Sequence, residues 1–433
     1  MLRLKAYRYR LQPTPPQAAE LGAWSSALRF LWNWMLRQRS ESYKASEGRV
    51  KVGYREQAAQ LAPMKEMFPW LGVLPSQVLQ QTLMDLDRAF VNFFEGRGKY
   101  PAIKRKSGSS PGLRWPQGVK VNGRCVWLPK LGWIKARFSR PVCGTIKRAT
   151  VRFDGLRWHV AILTEHEVPV LANHPGAPIG LDVGVTESLA LSDGRLVRLP
   201  VATGGEEGRH AMLARRVARC RAGSQRHLKA KRRLLTFGRR IMNRVNDARH
   251  KITTQLAKNH GRVVVEDLAL RSLTRSARGT VEAPGRNVAA RAGLNRSLLE
   301  QGHAETVRQL GYKLGWLGGE LVKVPAAYTS QNCPNCGHVC PENRPSRDRF
   351  QCVACGNSGH ADTVAANNIL ADGLAVTARG GTWVPVKREP TRKRRLHRRL
   401  AGIPALKGRE DVNDDRLKKL NTNRGRFGGF ALS

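Results

Sequence analysis

A period of two opens the chain. Between Arg3 and Leu11, Tyr7, Tyr9 and Leu11 fall on one side and Arg8 and Arg10 on the other, as in a half-buried strand whose outer face is basic. The period then lengthens. Thr14 offers a helix cap, Pro15 stands at the first helical position, Gln17 lies three residues beyond the cap, and Leu21, Trp24, Leu28, Leu31 and Met35 recur at spacings of three and four. A second amphipathic helix is predicted over Ser76 to Phe94, with Val78, Leu79, Leu83, Leu86 and Phe90 as its stripe. Both stripes read as core packing. From Gly96 to Gly112 the chain turns to Gly, Pro, Lys and Ser, an exposed basic loop, and residues 113–165 return to strand-like patterning. Trp127-Leu128, Trp133-Ile134 and the run from Thr150 to Ile162, turned at Asp154-Gly155, predict a small antiparallel barrel. Arg152, Arg157 and His159 interleave there with Phe153 and Trp158, a pattern shared by phosphate contacts beside stacking platforms and by plain alternation.

A new region begins at Pro178. Ile179-Gly180-Leu181-Asp182-Val183-Gly184 is an apolar strand bearing one carboxylate between glycines, and Leu189 to Val197 continues it as a hairpin turned at Asp193-Gly194. Strand, tight turn and strand begin a ribonuclease-H-like sheet. From Arg209 to Lys258 there are sixteen Lys and Arg and one acidic residue, Asp247, while Ile241, Val245, Ala248, Ile252 and Leu256 keep helical spacing. This predicts a helical hairpin with one packed face and one basic face, because a merely solvated face mixes both signs of charge. Arg262 to Glu266 is a short apolar strand ending in a carboxylate, as a central parallel strand would. Residues Arg271 to Arg296, rich in Arg, Gly and Ser, are expected to be mobile; helical spacing resumes at Val307, Leu310, Leu314 and Leu317, and Leu321 to Val324 reads as a further strand.

Composition sharpens this picture. The chain has 433 residues, 41% of them hydrophobic, enough for two or three domains with cores of their own. Its 76 Lys and Arg against 32 Asp and Glu give a formal charge of +44, which calls for a polyanionic partner, nucleic acid by default. No apolar run approaches the ~20 residues of a membrane-spanning helix, and no signal peptide opens the sequence, so a cytosolic setting is expected. Of eight cysteines, four form two Cys-x-x-Cys pairs, Cys333/Cys336 and Cys352/Cys355, separated by fifteen residues. That spacing places four thiolates around one Zn²⁺, although His338 and Cys340 lie close enough to compete as ligands. Just beyond the second pair, Asp362 starts an apolar helix running through Val364 to Leu370.

Three carboxylates in apolar surroundings therefore stand out: Asp182 on a first strand, Glu266 at the end of a later strand and Asp362 on a final helix. Brought together they could hold two Mg²⁺, one activating water and one beside the leaving oxygen of a phosphodiester. At these residues the sequence resembles the TnpB (OrfB) proteins of bacterial insertion sequences, relatives of type V CRISPR effectors. The resemblance runs from Tyr7-Arg8-Tyr9-Arg10-Leu11 through Gly180 to Gly184, Val265 to Leu268 and Thr329-Ser330-Gln331 with its cysteine pairs, to Asp362 and Ala365-Ala366-Asn367-Asn368-Ile369, covering about residues 1–375.

The resemblance implies an α/β multidomain protein: a β-barrel wedge domain (1–13 and 113–172), a helical recognition domain inserted in it (14–112), a RuvC nuclease domain (173–330 and 359–373) and an inserted zinc ribbon (331–358), followed by a basic, disordered tail (374–433). It implies that Asp182, Glu266 and Asp362 are the RuvC carboxylates, holding two catalytic Mg²⁺, and that Cys333, Cys336, Cys352 and Cys355 hold a structural Zn²⁺. The activity implied is RNA-guided cleavage of double-stranded DNA beside a short adjacent motif, by a monomer bound to guide RNA from the transposon end. Arg8 and Arg10 on the first strand and Arg232, Arg233, Arg239 and Arg240 on the basic hairpin are the candidate nucleic-acid contacts. The rival readings are a strand-transfer transposase, an RNA-guided DNA-binding regulator that does not cut, and a plain zinc-containing nucleic-acid-binding module. No dimerisation element supports the first, and the intact carboxylates oppose the other two.

Overall fold

The computed structural model describes residues 2–378 apart from 48, 50, 107–109, 169–173 and 281–282. The basic tail expected from residue 374 lies outside the described residues except for 374–378, which belong to the last helix.

Strand β1 (Leu2–Gln12) leads through Thr14 into helix α1 (Pro15–Ala45), and the expected cap is present: the Gln17 amide donates to Thr14 Oγ1 while the Thr14 amide donates to Gln17 Oε1 at 3.1 Å. Three short helices, α2 (Tyr54–Ala59), α3 (Leu61–Met67) and α4 (Pro69–Gly72), connect to α5 (Ser76–Phe94). Six strands follow: β2 (Leu113–Trp115), β3 (Lys120–Asn122), β4 (Cys125–Leu128), β5 (Gly132–Arg137), β6 (Thr145–Phe153) and β7 (Trp158–Glu167). With β1 they form an antiparallel sheet in the order β2-β6-β7-β1-β5-β4-β3, so the first strand occupies its middle. Tyr7, Tyr9 and Leu11 point into one core with Leu21, Trp24, Leu28, Leu31 and Met35 of α1 and Val78, Leu79, Leu83 and Leu86 of α5. Phe90 is only partly buried, where it meets Phe94 and Tyr100.

The sheet corrects the expected barrel. Its ends are β2 and β3, and among the described residues no pairing joins them. Both are three residues long, and β2 packs against α5, with Leu113 and Trp115 in the core it shares with the helical insertion.

The second sheet contains β8 (Ile179–Asp182), β9 (Leu189–Leu191) and β10 (Leu196–Val197), then, after helices α6 (Gly204–Arg219) and α7 (Gln225–Asn259), β11 (Arg262–Glu266). Helices α8 (Leu270–Leu273), α9 (Val288–Gln301) and α10 (His303–Leu317) lead to β12 (Glu320–Val324). The order is β10-β9-β8-β11-β12: an antiparallel meander, then two strands parallel to β8. Both faces are covered, as central parallel strands require. Val263 and Val265 pack with Leu256 of α7 and Leu310 and Leu314 of α10; Val264, on the alternate face, packs with Ile369 of the last helix, α11 (Ala361–Ala378). Between β12 and α11 lie the cysteines and a small hairpin, β13 (Arg349–Gln351) and β14 (Ser358–His360).

The basic hairpin is α6 followed by α7. Only α7 contributes buried residues, Val245 and Leu256 among the predicted stripe, while α6 buries none. The stretch expected to be mobile is partly ordered: α9 begins at Val288, and a left-handed turn at Gly302 (φ 59°) joins it to α10. No described helix is long and apolar enough to cross a membrane.

Candidate active site and metal centre

The two cysteine knuckles are built alike. In the first, the Gly337 amide donates to the Cys333 carbonyl at 2.9 Å, and in the second the Gly356 amide donates to the Cys352 carbonyl at 3.0 Å. Gly337 and Gly356 both have φ 73°, a left-handed conformation that glycine adopts without strain, and each closes its knuckle behind the second thiol. Cys333 Sγ lies 3.6 Å from Cys355 Sγ, and Cys336 Sγ lies 3.6 Å from Cys352 Sγ. A tetrahedral zinc–thiolate site with ~2.3 Å bonds has edges of about 3.8 Å, so the arrangement fits Zn²⁺. Burial pushes the Cys333 thiol up, but the amides of Cys336 and Asn335 and the neighbouring thiols outweigh it and hold Cys333 below the usual thiol range. Cys340 and the His338 ring are outside the cluster: the Cys340 thiol is directed to Glu342, and His338 acts through its backbone, its carbonyl accepting from the Cys333 amide at 3.0 Å.

The carboxylates meet at one end of the second sheet. Strands β8 and β11 are parallel neighbours with Leu181 opposite Val265, so the next residue of each, Asp182 and Glu266, leaves the sheet at the same edge. Helix α11 crosses directly over β8. A Cβ on Gly180 would stand 2.1 Å from the Ala366 carbonyl oxygen, and one on Gly373 would stand 2.4 Å from Val264 Cγ1, so glycine on both partners allows the approach. Asp362 lies one turn before Ala366 and is carried toward Asp182 by that seat. Burial first, and then the negative charges of Glu266 and Asp362, push the Asp182 carboxyl up to about 7, against the Val183 amide and Arg344. Burial raises Glu266 as well, opposed by the Thr329 hydroxyl.

Each of the other two carboxylates also has a partner that the sequence did not reveal. Thr329 Oγ1 donates to Glu266 Oε1 at 2.5 Å, and Arg344 Nη2 stands 3.3 Å from Asp362 Oδ1. Among the described residues the four cysteines are the one group of three or more His, Cys, Asp or Glu whose ligand atoms all lie within 4.8 Å of one another. The three carboxylates do not form a group that close, and Glu266 and Asp362 each have a partner of their own. Their hard oxygens, desolvated at a strand edge, suit Mg²⁺, since a buried carboxylate needs a compensating cation or proton.

The candidate nucleic-acid contacts divide. Arg8 has a side chain 67% exposed, 3.9 Å from Asp154. Arg10 is half-buried, and burial and the nearby Arg157 and Arg137 lower its pKa. Arg232, Arg233 and Arg240 are exposed on α7. Arg239 instead pairs with Asp154 Oδ1 at 2.7 Å, locking α7 to the turn between β6 and β7. Between the first sheet and α7, α9 and α10 runs a cleft of about 1850 Å³ whose lining includes Lys5, Arg8, Arg140, Lys258, Arg296 and Arg308.

Comparison with known proteins places these features in context. Residues 303–369 match the Cas12f1-like TNB domain, residues 161–277 a family described as "Probable transposase" (OrfB_IS605), and residues 1–48 a helix-turn-helix domain of the same grouping, although here that stretch folds as β1 and α1. The chain is 41% identical over 399 residues to a protein of Escherichia coli (strain K12) named "Putative RNA-guided DNA endonuclease InsQ", covering 90% of this chain and 98% of that one. It is 32% identical over 416 residues to a "Putative RNA-guided DNA endonuclease" of Streptomyces pristinaespiralis, covering 93% and 98%. Among solved structures, the Cas12f1–sgRNA–target DNA complex aligns with a TM-score of 0.49 at 13% identity, over 85% of this chain and 98% of that one.

Proposed function

Because the chain belongs to the TnpB (OrfB) family of insertion-sequence-encoded RNA-guided DNA endonucleases, related to type V CRISPR effectors, we propose that it cuts DNA chosen by a guide RNA, beside a short adjacent motif, at a RuvC-type site made by Asp182, Glu266 and Asp362. The observation that carries this reading is the convergence of Asp182 and Glu266 at the ends of neighbouring parallel strands, with α11 seated on Gly180 so that Asp362 joins them.

In this reading the carboxylates hold two Mg²⁺, which when bound supply an activated water and a positive charge beside the departing oxygen. Burial and the charges of Glu266 and Asp362 push the Asp182 carboxyl up to about 7, and a cation held there would favour its ionised form. Arg344 adds positive charge beside Asp362. The four cysteines hold Zn²⁺ and so fix the base of α11. Base pairing with the guide reads the sequence, while exposed arginines such as Arg232, Arg233 and Arg240 grip phosphates. Residues 1–13 and 113–172 act as the wedge, 14–112 as the recognition domain, 173–330 and 359–373 as the nuclease domain and 331–358 as the zinc ribbon.

The test is cleavage by the protein purified with its guide RNA on matched double-stranded DNA with Mg²⁺. Asp182→Ala is expected to abolish cutting while guide and target binding persist. Equal cutting by both proteins would end the assignment, and binding without any cutting by the wild type would favour a regulator.

A further inference from the structure

Three polar contacts, made by the buried side chains of Thr329 and Asn368, join the cysteine cluster to Glu266 and to α11, the helix that carries Asp362. Thr329, 3% exposed, donates its hydroxyl to Glu266 Oε1 at 2.5 Å; its other acceptor, the Ala326 carbonyl at 3.4 Å, is far less favourable. The carbonyl of the same threonine accepts from Asn368 Nδ2 at 2.7 Å, and the second proton of that amide goes to the Asn332 carbonyl at 2.8 Å. Asn368 is itself 3% exposed, so its amide has no water to fall back on. Asn332 precedes Cys333, which is 1% exposed within the metal cluster, and Asn368 sits on α11, the helix that Asp362 begins.

These contacts make a relay. The Asn368 amide can satisfy both protons only when the backbone carbonyls of residues 329 and 332 stand together, and the first knuckle is what holds residue 332. With both bonds made, α11 cannot slide along β8, so Asp362 keeps its place. Thr329, held by its carbonyl, presents its hydroxyl to Oε1 of Glu266, which fixes the rotamer and leaves Oε2 free to ligate. We propose that Thr329 and Asn368 are positioning residues of the nuclease site, through which zinc ligation at the cysteines sets the geometry of Glu266 and Asp362. This rests on the nuclease reading above and adds to it that the zinc knuckle governs the chemistry as well as the fold.

The experiment uses full-length protein with its copurified guide RNA, measuring cleavage across a range of Mg²⁺ concentrations, Mn²⁺ binding by electron paramagnetic resonance, zinc content and melting temperature. Thr329→Val keeps the shape and removes the hydroxyl. It should raise the Mg²⁺ needed for half-maximal cleavage and weaken Mn²⁺ binding by about 10–100-fold, the usual cost of losing a group that orients a metal ligand, with zinc and melting temperature unchanged. Thr329→Ser should restore both. Asn368→Ala should act like Thr329→Val; if it loses zinc or unfolds, the Val and Ser variants decide. Wild-type Mg²⁺ demand and Mn²⁺ binding in Thr329→Val, or equal impairment in Val and Ser, would overturn the proposal. Failure of the nuclease reading looks different: wild type would not cut, and Asp182→Ala would bind Mn²⁺ as wild type does.

Discussion

Gly180 and Ala366 are in backbone contact: a methyl group on the glycine would overlap the carbonyl oxygen of the alanine, at 2.1 Å. The nearest atom is backbone, which cannot swing aside as the tip of a side chain would. Gly180→Ala should therefore push α11 off the sheet, lower stability by roughly 1–3 kcal/mol and disable cleavage together, as overpacking does at a close-packed crossing. Urea unfolding and a cleavage assay check this, and a variant as stable and active as wild type would contradict it.

Arg344 and Asp362 supply the second prediction. Their ion pair spans 3.3 Å, with side chains 29% and 18% exposed. Arg344→Ala should slow cleavage at least about tenfold, a barrier change of ~1.4 kcal/mol, without loss of zinc. Arg344→Lys should recover only part, because a point charge does not reproduce the planar guanidinium. Single-turnover rates and zinc content measured on the same preparations test it.

Removal of zinc is expected to be structural in effect. Cys333→Ser or Cys352→Ser should lower metal content from about one equivalent and reduce the melting temperature, since ligation contributes folding free energy directly. A metal-free protein with an unchanged melting temperature would refute the zinc assignment.

The Asp182 carboxyl gives a pH dependence of definite sign. Its folded pKa of about 7 lies above the ~3.9 of an unfolded aspartate, so above pH ~4 the unfolded chain releases a proton that the folded chain retains. Stability from this group therefore falls as pH rises from about 4 to 7 and is flat outside that window. Comparison with Asp182→Asn in Mg²⁺-free buffer, with no chelator to strip zinc, isolates the effect of this carboxyl. The two proteins should unfold alike near pH 4, and the wild type should be the weaker near pH 8. Millimolar Mg²⁺ should narrow the gap, by favouring the ionised carboxylates. A gap that grew toward low pH would reverse the sign.

The basic hairpin should behave as two populations. Neutralising Arg232, Arg233 and Arg240 to Gln should weaken guide-RNA binding and flatten its salt dependence, by roughly 0.7–0.9 in the log-log slope for each phosphate that no longer meets an arginine. Arg239→Gln should leave that slope alone and instead cost roughly 1–3 kcal/mol of stability, because its partner is Asp154. Salt titrations and thermal melts separate the two outcomes.

Much of this arrangement was legible in the sequence because it is written in local periods. The alternation of Tyr7, Tyr9 and Leu11, the capping box at Thr14 and the glycine-flanked Asp182 each specify a local conformation that packing then preserves. Closure of the first sheet was not legible, since alternation predicts strands but not whether the end strands β2 and β3 meet. Nor were the partners of the carboxylates. Thr329 is 63 positions from Glu266, and an asparagine such as Asn368 in a helix reads as a surface residue until its amide is found buried between two carbonyls. Arg239 was hidden by its neighbours: within a run of like charges, the one that pairs inward has no local mark.

The position of β1 also has a consequence in time. Made before the other strands of its sheet, it takes a central place between β7, where Leu2 faces Glu167, and β5, where Gln12 faces Lys135. During synthesis at ~5–20 residues per second, its longest ladder has no partner for on the order of ten to thirty seconds. In that interval α1 and α5 can bury their stripes against each other, and the waiting strand keeps Arg3, Lys5, Arg8 and Arg10 as charges along its length. Such charges discourage a nascent strand from pairing with a neighbouring chain on the polysome. Arg8 and Arg10 on the outer face, with Arg3 and Lys5 beside Tyr7 on the other, would serve the emerging chain in this way before any nucleic acid is bound.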